Sequence, residues 1–171
     1  MNVFDVLENG ARRFPAKDAV RFQETQGTKT FSYGEIHRLA TCFSGALFQL
    51  GIRRGDRLAV FLPNLPEVPA VTYGAFRIGA VPVLLSSALK KEKVEEYVRD
   101  SQARVLVTSE ALYAETVLAR ENTSLEEIFV IGSAPDNAKS FPYNFDGEAP
   151  PKLDLGSNDP ATILYTSGTT G

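Results

Sequence analysis

Apolar positions along this chain alternate between two rhythms, one of helical spacing and one of short unbroken runs. Val3, Leu7, Ala11 and Phe14 recur as on one helix face, with Asn2 placed to cap the segment and Pro15 to close it. "AVRFQ" and "KTFS" flank the turn-forming "TQGT" and predict a strand pair. Ser32 and Glu35 then form an S-x-x-E capping box, in which each side chain satisfies a free backbone donor of the first turn. The helix it opens is expected to bury Ile36, Leu39, Ala40, Phe43 and Leu47, and Gly51 is a natural stop.

From there the rhythm changes. "RLAVFLP" (Arg57 to Pro63) is nearly continuous in apolar residues, as suits a strand covered on both faces in a parallel sheet. Asn64 and Glu67 repeat the capping logic for a helix that tolerates Pro66 in its first turn and runs to about Gly79. "AVPVLL" follows as a buried strand. A charged helix from Lys90 to Asp100 comes next, with Val94, Tyr97 and Val98 on one face. "ARVLVT" is a strand, "SEALYAETVLARE" a helix and "EIFVIG" a strand. Residues 133–158, rich in Pro, Asp, Asn, Gly and Ser, read as a surface connection, after which "ATILYT" resumes as a strand. The repeated strand–helix–strand order predicts an α/β fold: an open, mostly parallel sheet flanked by helices.

Composition narrows the function classes. The chain's 171 residues are 43% hydrophobic and 23% charged, the profile of one globular domain. A formal net charge of −3 argues against a nucleic-acid partner. Arg53, Arg54 and Arg57 cluster, but Asp56 interrupts them, as in a solvated turn. Cys42 is the only cysteine, so no intrachain disulfide forms and a reducing, cytoplasmic setting is expected. One histidine and one cysteine assemble no His/Cys metal cluster. "MNVFDVLENGARRFP" lacks the basic and apolar regions of a secretory signal, and no apolar run approaches the roughly 18 residues of a membrane span.

Candidate chemistry concentrates in "ILYTSGTTG", Ile163 to Gly171. In open α/β sheets ligands bind beyond the carboxyl ends of strands, which is where this stretch falls. Gly168 and Gly171 let the backbone approach a ligand, and the hydroxyls of Thr166, Ser167, Thr169 and Thr170 offer donors to a phosphate. It is not a Walker A loop, because G-x-x-x-x-G-K-[ST] is absent. Composition alone favours a plain polar turn.

The literal string favours the phosphate. "YTSGTTG" resembles the phosphate-loop signature of the AMP-forming adenylating enzymes: acyl- and aryl-CoA synthetases, peptide-synthetase adenylation domains and beetle luciferases. Upstream, "TFSYGEI", "LGIRRGDRLAVFLPNLPE", "GAFRIGAVPVLL" and "DSQARVLVT" resemble the preceding segments of that superfamily, in its order, from about Thr30 to Gly171. The resemblance implies that residues 1–171 are the N-terminal part of the large domain. It implies ATP with Mg²⁺, a carboxylic acid that attacks the α-phosphate, and coenzyme A as the thiol that displaces AMP. It places Thr166, Ser167, Gly168, Thr169, Thr170 and Gly171 on the β- and γ-phosphates.

The superfamily signature continues with a proline and a lysine, which these residues do not include, nor do they include its downstream elements for adenine, ribose and the reacting carboxylate. No catalytic and no metal-binding residue is therefore assigned. The chain is expected to be cut within its phosphate loop, inactive alone, and prone to self-association through uncovered sheet. Three functions are open: a fatty- or aryl-acid CoA ligase, which is favoured; an amino-acid-activating domain; and a non-catalytic domain that binds a nucleotide or partner. His37, Cys42 and the run "KKEKVEEYVRD" are read as structural, and Tyr165 as either space-filling or packed near the nucleotide.

Overall fold

The computed structural model describes residues 3–24, 27–147, 149–151, 153–156 and 158–165. Helix α1 (Phe4–Arg13) precedes an antiparallel hairpin of β1 (Asp18–Glu24) and β2 (Gly27–Ser32). Asn2, expected as the cap of α1, lies outside the described residues. Helix α2 (Tyr33–Gln49) starts at the capping box: the Glu35 amide donates to Ser32 Oγ at 3.2 Å and the Ser32 amide to Glu35 Oε2 at 2.7 Å. Then follow β3 (Arg57–Phe61), α3 (Val68–Arg77), β4 (Val81–Leu85), α4 (Lys91–Ser101) and β5 (Val105–Ser109). A 3₁₀ stretch (Glu110–Thr116) leads into the short α5 (Val117–Asn122), where one helix was expected. The chain continues through β6 (Glu127–Ile131), β7 (Lys139–Ser140) and β8 (Ile163–Leu164).

The main sheet has 6 strands, all parallel, in the order β7, β6, β5, β3, β4, β8. Each central strand alternates its side chains between two covered faces, which is why "RLAVF" is apolar throughout. Leu58 and Val60 join a core with Phe43 and Leu47 of α2 and Val71 of α3. Ala59 and Phe61 join the opposite core, with Val94 and Val98 of α4 and Ala119 of α5. A satellite cluster of Phe4, Leu7, Ile36 and Ala40 docks α1 and the hairpin. Helices α2 and α3 approach closely at Gly74, where an added Cβ would lie 2.8 Å from the Ala40 carbonyl oxygen.

Two expectations are revised. Neither Asn64 nor Glu67 caps α3, which begins at Val68 with no side-chain cap hydrogen bond. Glu67 already has helical backbone (φ −78°, ψ −17°), its side chain is buried, and Oε1 accepts from the Tyr143 hydroxyl at 3.1 Å. Pro66 precedes the helix and Pro69 occupies its first turn, where no amide is needed. Residues 133–158 do more than cross the surface. Lys139–Ser140 pairs with β6 as the edge strand β7, and Phe141 is buried, its ring stacked 5.3 Å from that of Phe43. Arg38 reaches the same segment, donating to the Tyr143 carbonyl at 2.8 Å.

Candidate functional site

The strand leading to the hydroxyl-rich stretch is short and lies at the sheet edge. β8 pairs with β4 through Val83–Ile163 and Leu84–Leu164. Below it, Thr162 Oγ1 donates to the Pro82 carbonyl at 2.9 Å. This register brings Tyr165 level with Leu85, at the carboxyl end of β4. Thr166, Ser167, Gly168, Thr169, Thr170 and Gly171 lie outside the described residues.

Tyr165 is held from two sides by α4. Its ring stacks on Tyr97 with centroids 4.1 Å apart and planes 8° from parallel. Its hydroxyl donates to Asp100 Oδ2 at 2.6 Å. Burial, with the Asp100 carboxylate beside it, pushes the phenol up to about 12, so it stays a neutral donor through the ordinary pH range. Tyr97 was legible as part of an apolar helix stripe; its pairing with a residue sixty-eight positions away was not.

Helix α3 carries the β3–β4 connection on one face, and α5 the β5–β6 connection on the other. The order of the sheet therefore reverses between β3 and β5, the place where open α/β sheets receive ligands. The carboxyl end of β5 supplies Thr108 and Ser109, both buried, whose hydroxyls have no hydrogen-bond partner among the described residues. Neither was singled out in the sequence, although two hydroxyls closing an apolar run are a readable signal. At the carboxyl ends of β3 and β4 lies a cleft of about 180 Å³, lined by Leu62, Pro63, Asn64, Val68 and Leu85 among others.

A larger cavity, about 330 Å³, lies at the opposite end, among Gly55, Phe76, Gly79, Val81, Leu155 and Ala161. For an anion it offers Arg54, whose guanidinium is already paired with Asp159 at 2.5 Å. Its lining suits apolar contact rather than phosphate. Among the described residues no group of three or more His, Cys, Asp and Glu side chains is arranged to hold a metal ion.

The remaining candidates are structural. His37 packs 5.5 Å from the Phe4 ring, and burial holds its pKa below the usual value, Glu8 opposing and Arg77 adding to that shift. Cys42 is half-buried beside the stripe of α2. Arg57 donates to the Ser101 and Gln102 carbonyls at the end of α4, and Arg104 bridges Asp56 and Glu126. These arginines tie helix ends and turns together.

A parallel sheet covered on both faces by helices, with a strand order that reverses beside β3, defines an open α/β architecture. Residues 7–171 match the family model described as AMP-binding enzyme, and the chain belongs to that family. It is 33% identical to a crotonobetaine/carnitine–CoA ligase of Citrobacter koseri over 99% of this chain and 34% of that protein. It is 32% identical to Triostin synthetase I of Streptomyces triostinicus over 98% of this chain and 31% of that protein. Among solved structures, a long-chain-fatty-acid–CoA ligase from Archaeoglobus fulgidus superposes with a TM-score of 0.82 at 25% identity, covering 100% of this chain and 35% of that one. The chain thus spans about a third of the length of these relatives. No helix among the described residues is long and apolar enough to cross a membrane.

Proposed function

We propose that these residues are the N-terminal part of an ATP-dependent, AMP-forming ligase that activates a carboxylic acid as its acyl-adenylate and passes the acyl group to coenzyme A. The observation that carries this is the string Thr166–Gly171, which follows β8 in the sequence of a chain of the AMP-binding family. In this role Thr166, Ser167, Gly168, Thr169, Thr170 and Gly171 hold the β- and γ-phosphates. Hydroxyl and amide donors of this kind stabilise the negative charge that grows on pyrophosphate as the carboxylate attacks the α-phosphate.

Mg²⁺ enters with ATP: no acid cluster among the described residues fits a resident ion, and no step is assigned to one. Between Ile163 and Gly171 every side-chain donor is neutral, so phosphate contacts there are weak wherever water has access. The 171-residue chain by itself is accordingly expected to turn over poorly or not at all. Fatty or aryl acids are the favoured substrate class, and the cytoplasm the expected compartment.

Amino-acid activation is the second reading, favoured by the likeness to Triostin synthetase I, a synthetase not named for coenzyme A. The deciding experiment is carboxylate-dependent exchange of pyrophosphate into ATP by the protein at its natural length, followed by thioester formation with coenzyme A. Exchange with fatty or aryl acids and transfer to coenzyme A supports the first reading. Exchange only with amino acids supports the second. A folded protein with no exchange across both panels leaves a binding domain without turnover.

A further inference from the structure

The geometry points to the cavity at the amino end of the sheet as a binding site for a small, uncharged, apolar molecule about two fused rings in size. This goes beyond the function proposed above and does not depend on it. Stretches far apart in the chain build the walls: Val3 ahead of α1, Gly55 ahead of β3, Phe76 and Val81 flanking the α3–β4 junction, and Leu155 and Ala161 ahead of β8. They close around about 330 Å³, roughly twice the ~150 Å³ that accommodates one benzene ring. The walls are fixed in place. Leu155 can approach because Gly79, at φ +71°, carries no side chain: an added Cβ would lie 3.2 Å from Leu155 Cδ2 and 3.2 Å from the Arg54 side chain. The Phe76 ring is held edge-on by Tyr73, with centroids 5.9 Å apart.

The polar groups of these walls are already spent on one another. The Gly55 amide donates to the Gly79 carbonyl at 2.8 Å, and the Val81 amide to the Asp56 carbonyl at 2.8 Å. Asp159 Oδ2 accepts from the Gly156 amide at 2.7 Å, and Oδ1 accepts from Arg54 Nε at 3.1 Å. Arg54 and, next, the Gly156 amide hold the Asp159 carboxyl below its usual range, so the pair stays ionised and mutually neutralised. An anion would have to displace Asp159 from Arg54, and a cation would have to displace Arg54 from Asp159. An ordered water needs two to four polar partners, which these walls no longer offer. What remains for a guest is carbon: Val3, Val81, Leu155, Ala161 and the Phe76 ring. Burial of apolar surface is therefore the binding force, and the guest carries no charge.

The test uses 2-naphthol, uncharged at pH 7, as the probe and the protein at its natural length. Saturation-transfer NMR should give a Kd below about 1 mM for the parent. Ala161→Phe, which fills the cavity from an exposed position, and Leu155→Asp, which puts a charge in its wall, should each weaken binding about tenfold or more. The Tm of Ala161→Phe should match the parent's, and if Leu155→Asp fails to fold, Ala161→Phe decides alone. Amide hydrogen exchange should slow on adding the probe in the peptide spanning Phe76 to Leu85, and should not in Ala161→Phe. Inorganic phosphate should leave the probe bound. A parent that does not bind 2-naphthol overturns the inference, as does equal binding by parent and Ala161→Phe. Protection confined to other peptides, or displacement of the probe by phosphate, overturns it too.

Discussion

The Tyr143 hydroxyl donates to Glu67 Oε1 at 3.1 Å, joining the segment that follows β6 to the residue just before α3. Glu67 is only 5% exposed, so this phenol answers a carboxylate taken out of water. Tyr143→Phe should destabilise the chain by about 1–2 kcal/mol in urea unfolding, the cost of leaving a buried acceptor unpaired. Burial first, and Glu67 second, raise the Tyr143 phenol to about 12. A group whose folded pKa exceeds its unfolded one stabilises below the unfolded value and loses that contribution as pH rises through the folded value. Stability should therefore hold up to about pH 10 and fall toward 12, less steeply in Tyr143→Phe. An identical alkaline limb in the variant would remove Tyr143 from the account.

Phe141 tests whether residues 133–158 belong to the core. It is 3% exposed and meets Phe43, which also packs edge-on to Phe129 at 5.5 Å. Phe141→Ala should cost about 3–4 kcal/mol, whereas the exposed Asp136→Ala should change stability by less than about 0.5 kcal/mol. Equal, small effects at both positions would return the segment to the status of a plain connection.

Gly74 sets the spacing of α2 and α3. An alanine Cβ would meet the Ala40 carbonyl oxygen at 2.8 Å and Phe43 at 3.0 Å, and backbone cannot step aside as a side chain can. Gly74→Ala should lose about 1–3 kcal/mol despite alanine's better helix propensity. A variant as stable as the parent would mean that the helices separate without cost.

His37 should make the chain acid-sensitive. Burial lowers its pKa, against Glu8 and with Arg77. The unfolded state then binds the proton more readily, so stability is present above the unfolded value of about 6.5 and declines as pH falls through it. His37→Gln should flatten that limb of a Tm-against-pH curve. An NMR titration of His37 at or above the free value would contradict the expectation.

Leu164, exposed on the edge strand β8, should draw copies of this chain together. Leu164→Lys should lower the apparent mass in sedimentation at high concentration. A parent chain that sediments as a monomer throughout would rule this out.

Local rules were sufficient wherever the determining contacts are local. The capping box at Ser32 and Glu35, the stripe of α2 and the apolar runs of β3 to β6 were all readable, because each is set by residues within a few positions of one another. The segments from Thr30 onward were likewise readable as a family, whereas the hydroxyl- and glycine-rich stretch from Thr166 lies outside the described residues. Only the tertiary structure decided that β5 returns to the far side of β3, and that a two-residue β7 completes one edge. Only it turned Glu67 from an expected cap into the buried partner of Tyr143, and joined Tyr165 to Tyr97 and Asp100. The physical reason is common to these cases. Strand order, edge pairing and the satisfaction of a buried polar group depend on what arrives from distant parts of the chain, and residue spacing carries no record of that arrival.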